Sequence, residues 1–252
     1  MARYTVNYTA LCDMGHVRYQ NQDNLWCMGS YLECENNGLP SPIVNSANIN
    51  DRPMFAVFDG MGGESRGDIA AYLAAKTFDV AYKSKIARNP EKYLRDTSEK
   101  MNDEICLYAN INRTGTMGTT AAIIAFSKKE VYICNIGDSK IFLHNSGNLT
   151  QVSQDHAISM TGNKKPALSQ HLGIPKSEFK IEPFIAKGAC LDGDRYLLCS
   201  DGLTDMVSVE EIEKTLNEKK EIPDCAASLM EAALSNGGID NISIILCEIQ
   251  KK

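Results

Sequence analysis

Apolar positions along the chain switch between two spacings. Short apolar runs at residues 4 to 12 and 24 to 29, and the run Met54 to Phe58 that stops abruptly at Asp59-Gly60, predict three strands. Between them, residues 30 to 53 are rich in Asn, Pro and Ser and read as a loop or ragged hairpin. From about Gly63 the spacing turns helical. Ile69, Leu73 and Thr77, flanked by Ala70, Ala74 and Phe78, form one stripe, and a second helix is expected from about Glu91 to Asn112. Strands return at Thr119 to Phe126, Val131 to Asn135 and Ile141 to His144, the last closed by the turn Asn145-Ser146-Gly147-Asn148. Phe179 to Ile185 and Arg195 to Cys199 read as strands, helices follow at roughly 208 to 218 and 223 to 236, and Ile242 to Ile249 makes a final strand. Strands in runs and helices in pairs disfavour alternating βαβ winding. They favour an α+β fold of antiparallel sheets with helix pairs packed outside.

Composition narrows this picture. A chain of 252 residues, 43% hydrophobic and 23% charged, is expected to form one domain over residues 1–252 around a sizeable core. The formal net charge of -6 argues against nucleic acid and against anionic lipid, both of which want a clustered basic surface. An enzyme acting on a phosphate ester would then draw its positive charge from a few Arg or Lys residues or from metal, and the acidic balance favours metal. No apolar run approaches the roughly 18 residues needed to cross a bilayer, and Met1-Ala-Arg-Tyr-Thr lacks the apolar segment of a secretion signal, so a cytoplasmic protein is expected. The nine cysteines are scattered singly with no C-x-x-C pair, and several lie inside apolar runs, which reads as reduced structural thiols.

The aspartates carry the chemistry. Asp59 follows Phe55-Ala56-Val57-Phe58, Asp201 follows Tyr196-Leu197-Leu198-Cys199-Ser200, Asp138 follows Ile133-Cys134-Asn135-Ile136-Gly137, and Asp240 precedes Ile242-Ser243-Ile244-Ile245-Leu246. Each is a carboxylate at the lip of an apolar strand, costly to desolvate unless paired or metal-bound, and strand ends can converge although far apart in sequence. Gly60, Gly62, Gly63, Gly137, Gly202, Gly237 and Gly238 crowd the same places and let backbone and ligand approach closely. Asp-Gly is also a common turn dipeptide, so Asp59-Gly60 or Asp201-Gly202 alone would read as a turn. Oxygen-only ligation without a His-Cys cluster points to a hard cation, Mg²⁺ or Mn²⁺.

The ordered series Arg18-x-x-Asn21-Gln22-Asp23-Asn24, Asp59-Gly60-Met61-Gly62-Gly63 with Gly67, Gly118-Thr119-Thr120, Gly137-Asp138-Ser139, Gln154-Asp155-His156, Ser200-Asp201-Gly202-Leu203 and Asp240-Asn241-Ile242-Ser243 resembles the motif series of the protein phosphatase 2C family, in its bacterial form. The resemblance spans residues 13 to 246. It implies a four-layer α-β-β-α sandwich and a serine/threonine phosphatase in which a water bridging two Mn²⁺ or Mg²⁺ ions attacks the phosphoester. Asp59 resembles the carboxylate that bridges both ions, and Gly60 the backbone carbonyl on one of them. Asp201 and Asp240 resemble the remaining direct ligands, and Asp23 a ligand acting through water. Arg18 resembles the guanidinium that grips substrate phosphate. Asp138 resembles the ligand of a weaker third ion. Phosphorylated proteins are the implied substrates, with a serine/threonine kinase as the expected counterpart.

Two departures from the family pattern stand out. Met61 occupies the place where some members carry a His general acid, and only ten residues separate Asp155-His156 from Ala167-Leu168-Ser169, where a longer flap is usual. Cys12 and Arg18 match the Cys-x5-Arg spacing of cysteine-dependent phosphatases, but Asn and Gln leading into a strand replace the expected glycines and helix. His156 is expected to order a loop, Thr119 and Thr120 to start a strand, with contact to the metal shell as the alternative, and Lys140 to be a solvated charge. The rival of another class is a regulatory binding module that keeps the fold with little or no turnover. Loss of a metal ligand would mark it, and none is lost.

Overall fold

The computed structural model describes residues 4–61, 66–84, 89–158, 167–218 and 221–251. In chain order its first elements are β1 (Tyr4–Asp13), β2 (Asp23–Cys27), β3 (Ser30–Tyr31), β4 (Ile43–Asn48), β5 (Met54–Met61), α1 (Gly67–Lys83) and α2 (Pro90–Asn112). Strands β6 (Gly118–Thr119), β7 (Ala121–Phe126), β8 (Glu130–Ile136), β9 (Lys140–Asn145), β10 (Asn148–Gln151), β11 (Ala157–Ile158), β12 (Ala167–Leu168), β13 (Phe184–Ala189) and β14 (Arg195–Cys199) follow. The chain closes with α3 (Asp201–Thr204), α4 (Val209–Asn217), α5 (Ile222–Ser235) and β15 (Ile242–Lys251).

One sheet has the order β10-β9-β14-β15-β1-β4 and the other β13-β8-β7-β5-β2-β3, with β6 attached to β5 and a separate two-strand ladder of β11 and β12. Apolar residues appear on both faces of the central strands because each sheet is covered on both sides. In β5, Phe55 and Val57 enter the core between the sheets, together with Val6, Tyr8, Leu198 and Ile245 of the opposite sheet. Ala56 and Phe58 turn the other way and pack with Ala70, Ala74 and Phe78 of α1 and Leu94 and Met101 of α2. On the far side, Leu197, Cys199, Ile244 and Leu246 pack with Ile212, Leu216, Cys225 and Leu229 of α4 and α5. Three apolar layers between four layers of structure make the α-β-β-α sandwich. Truncating one such Leu to Ala costs about 2–5 kcal/mol.

The helices begin where local chemistry caps them. The Asn89 side chain accepts from Lys92 N–H ahead of Pro90, and Ser208 with Glu211 forms a reciprocal capping box on α4. Arg66 instead enters α1 in the left-handed region at φ 54° without a side-chain cap. The expected start of this helix near Gly63 lies outside the described residues.

Three expectations need correction. Residues 30 to 53 are more than the loop or ragged hairpin expected: β3 does turn back onto β2 as a hairpin, but β4 forms the edge of the first sheet by pairing with β1. The strand expected at Phe179 to Ile185 is shifted to Phe184–Ala189. Pro183 has no N–H to give a ladder, so pairing with β8 starts after it, while Ile181 is buried against the helix-side core outside any strand. The strand expected from Thr119 to Phe126 breaks at Thr120, which serves the site instead. All nine cysteines are free thiols, seven of them buried. No helix among the described residues is long and apolar enough to cross a membrane.

Candidate active site

The antiparallel ladder of β2 and β5 sets Asp23 directly opposite Asp59. Like charges in that relation repel across a sheet, and Asp23 is only 3% exposed. The first sheet is brought to the same end by short hydrogen bonds. Ser243 N–H donates to Ser200 Oγ at 2.9 Å, and Ser200 Oγ donates to Asp23 Oδ2 at 2.7 Å. Ser200 thereby carries Asp201, the first residue of α3, to the start of β2.

Asn241 performs the matching task for Asp240. Its side-chain carbonyl accepts from Gln22 N–H at 2.8 Å, and its amide donates to the carbonyls of Met14 at 2.8 Å and Gln20 at 3.1 Å. The loop bearing Arg18 is thus pinned beside Asp240. Arg18 Nη2 donates to Asp240 Oδ2 at 2.6 Å, and this bond, with the charges of Asp240, Asp201 and Asp59, holds the guanidinium protonated even more firmly than usual.

Asp138 sits in the turn between β8 and β9. Its neighbour Ser139 shares a 2.6 Å hydrogen bond with Thr120 Oγ1, which also accepts from Asp59 N–H at 3.0 Å. Thr120 N–H and Thr119 Oγ1 both donate to the Asp59 carbonyl at 2.9 Å. The two threonines therefore fix the Asp59 backbone rather than only starting a strand. His156 orders the Asp138 turn as expected. Its Nδ1 accepts from Gly137 N–H at 3.2 Å, and the His156 backbone N–H donates to the Gly137 carbonyl at 2.9 Å. Lys140 is not a solvated charge: it is paired with the Asp155 carboxylate and donates to the Asp138 carbonyl, because the turn folds it back over its own loop.

Electrostatics show how tightly these groups gather. Loss of hydration pushes the Asp59 carboxyl well above the usual range, followed in order by the charges of Asp201, Asp23, Asp138 and Asp240. Burial likewise pushes Asp23 up to about 7, with Asp201 and Asp240 adding to it and the Ser200 and Ser243 hydrogen bonds opposing it. Asp23, Asp59, Asp138, Asp201 and Asp240 thus gather at one end of the sandwich, bringing together all the carboxylates singled out from sequence. Among the described residues, no three His, Cys, Asp or Glu side chains are drawn close enough to hold an ion as they stand. Asp240 instead faces Arg18. An all-oxygen donor set with this excess of negative charge nevertheless fits hard divalent cations in kind.

The cysteine alternative fails on geometry. Cys12 is buried, its sulfur accepting from Asn21 Nδ2 at 3.2 Å and Ser243 Oγ at 3.3 Å, while Arg18 points to Asp240. Burial first, then the charge of Asp23, pushes the Cys12 thiol up to about 12, so it stays protonated and inert at neutral pH.

Residues 45–237 match the family model of protein phosphatase 2C. The chain belongs to the protein phosphatase 2C family. It is a serine/threonine protein phosphatase, a class of metal-dependent hydrolases. It is similar to the serine/threonine phosphatase stp of Listeria monocytogenes, with 31% identity over 94% of this chain and 93% of the relative. Protein phosphatase PhpP of Streptococcus pneumoniae is 27% identical, over 96% of this chain and 97% of its own. Among solved structures, the catalytic domain of PstP in complex with two manganese ions superposes with a TM-score of 0.79 at 26% identity, covering 98% of this chain and 99% of that one.

Close backbone approach makes one position of this phosphatase intolerant. A Cβ at Gly60 would lie 2.3 Å from the Gly67 carbonyl oxygen and 2.4 Å from that of Gln22. Neither backbone atom can turn away, so Gly60→Ala is expected to destabilise the protein by about 2–3 kcal/mol. Urea denaturation checks this, and a midpoint equal to wild type would refute it.

Proposed function

We propose that residues 1–252 form a single catalytic domain that removes phosphate from phosphoserine and phosphothreonine in proteins. In this reading Asp23, Asp59, Gly60, Asp201 and Asp240 hold a pair of Mn²⁺ or Mg²⁺ ions, and Asp138 a weaker third. The convergence of four other carboxylates on Asp59 carries the proposal, since acidic groups gathered this closely at buried strand ends oppose one another's ionisation and suit a site that binds cations. When bound, two such ions bring a shared water towards a neutral pKa and neutralise charge on the phosphoryl oxygens.

The chain's own residues supply position. The β2–β5 ladder and the Thr119 and Thr120 bonds hold Asp23 and Asp59 in fixed relation. Arg18, pinned through Asn241, presents a planar donor fork that is set to leave Asp240 for a substrate phosphate. No protein nucleophile is called for: Cys12 is inert, and Met61 stands where an aspartyl-phosphate enzyme would want a second Asp. Met61 carries no proton either, so the leaving oxygen takes its proton from water at the site. The link from Asp138 through Ser139 and Thr120 to Asp59 supports the third position. Residues 159–166 of the short flap lie outside the described residues, and a serine/threonine kinase counterpart is part of the same proposal.

The test is hydrolysis of p-nitrophenyl phosphate and of a phosphothreonine peptide, with Mn²⁺ and with EDTA. Turnover is expected only with Mn²⁺, and a folded Cys12→Ser variant is expected to keep it. Manganese-independent turnover, or none under any condition, would overturn the mechanism, the latter favouring the binding-module alternative.

A further inference from the structure

Beside the carboxylate cluster lies a second concavity of about 630 Å³, lined by Tyr19, Glu35, Arg66 and Asp68 among others. Both of its walls touch the site already described. Tyr19 directly follows Arg18, and the backbone of Gly67, between Arg66 and Asp68, packs against Gly60. A group seated here is therefore a neighbour of a phosphate held at Arg18.

One feature of its lining calls for a ligand. The Asp68 side chain is 1% exposed, yet its Oδ1 has no hydrogen-bond donor. The Arg66 guanidinium stands 3.5 Å from that oxygen, with its side chain half exposed, and Cys34 Sγ donates weakly to Oδ2 at 3.6 Å. A buried carboxylate oxygen left in this state is costly, and a donor entering the concavity would relieve it once the half-exposed Arg66 side chain beside it swings aside. Arg66 is a poor permanent partner, since it reaches Asp68 from a left-handed backbone position at the uncapped end of α1.

The sign of the ligand follows from the rest of the lining. Glu35 adds an exposed carboxylate, so two negative groups stand against the single guanidinium of Arg66, which reaches Asp68 only at 3.5 Å. Tyr19, 102% exposed immediately after Arg18, offers an open ring face, which attracts cations. An anionic group would meet Glu35 and Asp68, whereas a cationic one would meet acceptors and a π face.

The geometry points to a specificity subsite that takes a basic side chain, Arg or Lys, flanking the phosphorylated residue of a protein substrate. This rests on the phosphatase reading of the neighbouring site. The subsite acts on peptide recognition and leaves small aryl phosphates indifferent, so the two readings fail separately.

The test uses phosphothreonine peptides identical except for Arg, citrulline or Glu at each of the three positions on either side. The full chain with Mn²⁺ gives kcat/KM, and the EDTA-treated chain, with turnover stopped, gives binding by fluorescence polarisation. At one flanking position the Arg peptide is expected to exceed the citrulline peptide about tenfold in kcat/KM, the scale of one desolvated charge contact, with the Glu peptide poorer still. Glu35→Gln and Asp68→Asn are each expected to shrink the Arg preference at least about threefold without changing kcat/KM for p-nitrophenyl phosphate. Should Asp68→Asn fail to fold, the exposed Glu35→Gln and Tyr19→Ala variants carry the test. Equal binding and turnover of the three peptides at every position would overturn the subsite while leaving the phosphatase reading intact. A preference that survives Glu35→Gln, Tyr19→Ala and Asp68→Asn, or a preference for Glu, would equally overturn it. Loss of aryl phosphate hydrolysis in wild type would count against the phosphatase reading alone, because the polarisation arm reads the subsite without turnover.

Discussion

Asp59→Ala is expected to lower kcat for p-nitrophenyl phosphate by at least about a thousandfold, the rate equivalent of roughly 4 kcal/mol of charge stabilisation lost with the ions. The same change is expected to raise the melting temperature of the metal-free protein. Asp59 is the carboxylate on which Asp201, Asp23, Asp138 and Asp240 all act, and its charged form is opposed first by burial and then by each of them. Removing it relieves that repulsion and leaves no buried donor stranded among the described residues, because Thr119 and Thr120 bind the Asp59 backbone and not its carboxylate. With Mn²⁺ the order reverses, since wild type gains stability by binding and the variant gains less. Thermal melts of both proteins, with EDTA and with Mn²⁺, check this alongside the kinetics. A variant that keeps its rate, or one that loses stability equally in both conditions, would contradict the role given to Asp59.

The second large effect is in pH. Asp23 is raised in the folded protein to about 7 by burial, and Asp59 moves the same way. Below the unfolded carboxylate value of about 4, both states hold their protons and these groups are neutral to folding. Between about 4 and about 7 the folded state keeps a proton that the unfolded chain has released, so stability falls as pH rises through this window. A shift of this size for Asp23 corresponds to a loss on the order of 4 kcal/mol by neutral pH. Urea unfolding of the EDTA-treated protein at several pH values is expected to show that fall, and Asp23→Asn to flatten it. Mn²⁺ is expected to restore stability most above pH 7, where ion binding no longer competes with protons. A metal-free protein whose stability rises from pH 5 to 7.5, in parallel with Asp23→Asn, would show that Asp23 is not desolvated as described.

Much of the site was legible along the chain because each carboxylate adjoins a local signal. Asp59 ends an apolar run, Asp201 follows another, and Asp240 precedes a third, and such runs are readable wherever both faces of a strand are buried. The supporting contacts were not legible in the same way. Asn241 and Ser200 sit within recognised motifs, yet nothing in their spacing shows that one pins the Arg18 loop or that the other reaches Asp23 177 residues away. Lys140 reads as an exposed lysine until the turn folds it onto Asp155. The edge strand β4 escapes notice because an edge position allows polar residues on both faces, leaving no period to find. The shift of β13 follows from Pro183, a local signal that the apolar pattern of Phe179 and Ile181 masks.

Periodicity and motif order by themselves determined the kinds of element, their order and the identity of the acidic residues, since these depend on which neighbours a residue has in sequence. Only the tertiary structure decided that Asp23 faces Asp59 across a ladder, that Arg18 reaches Asp240 from 222 positions away, and that Asp68 is left short of a donor beside them. Register and sheet packing bring distant residues together. A carboxylate's charge, its hydration and its need for a cation are properties of that assembled surrounding.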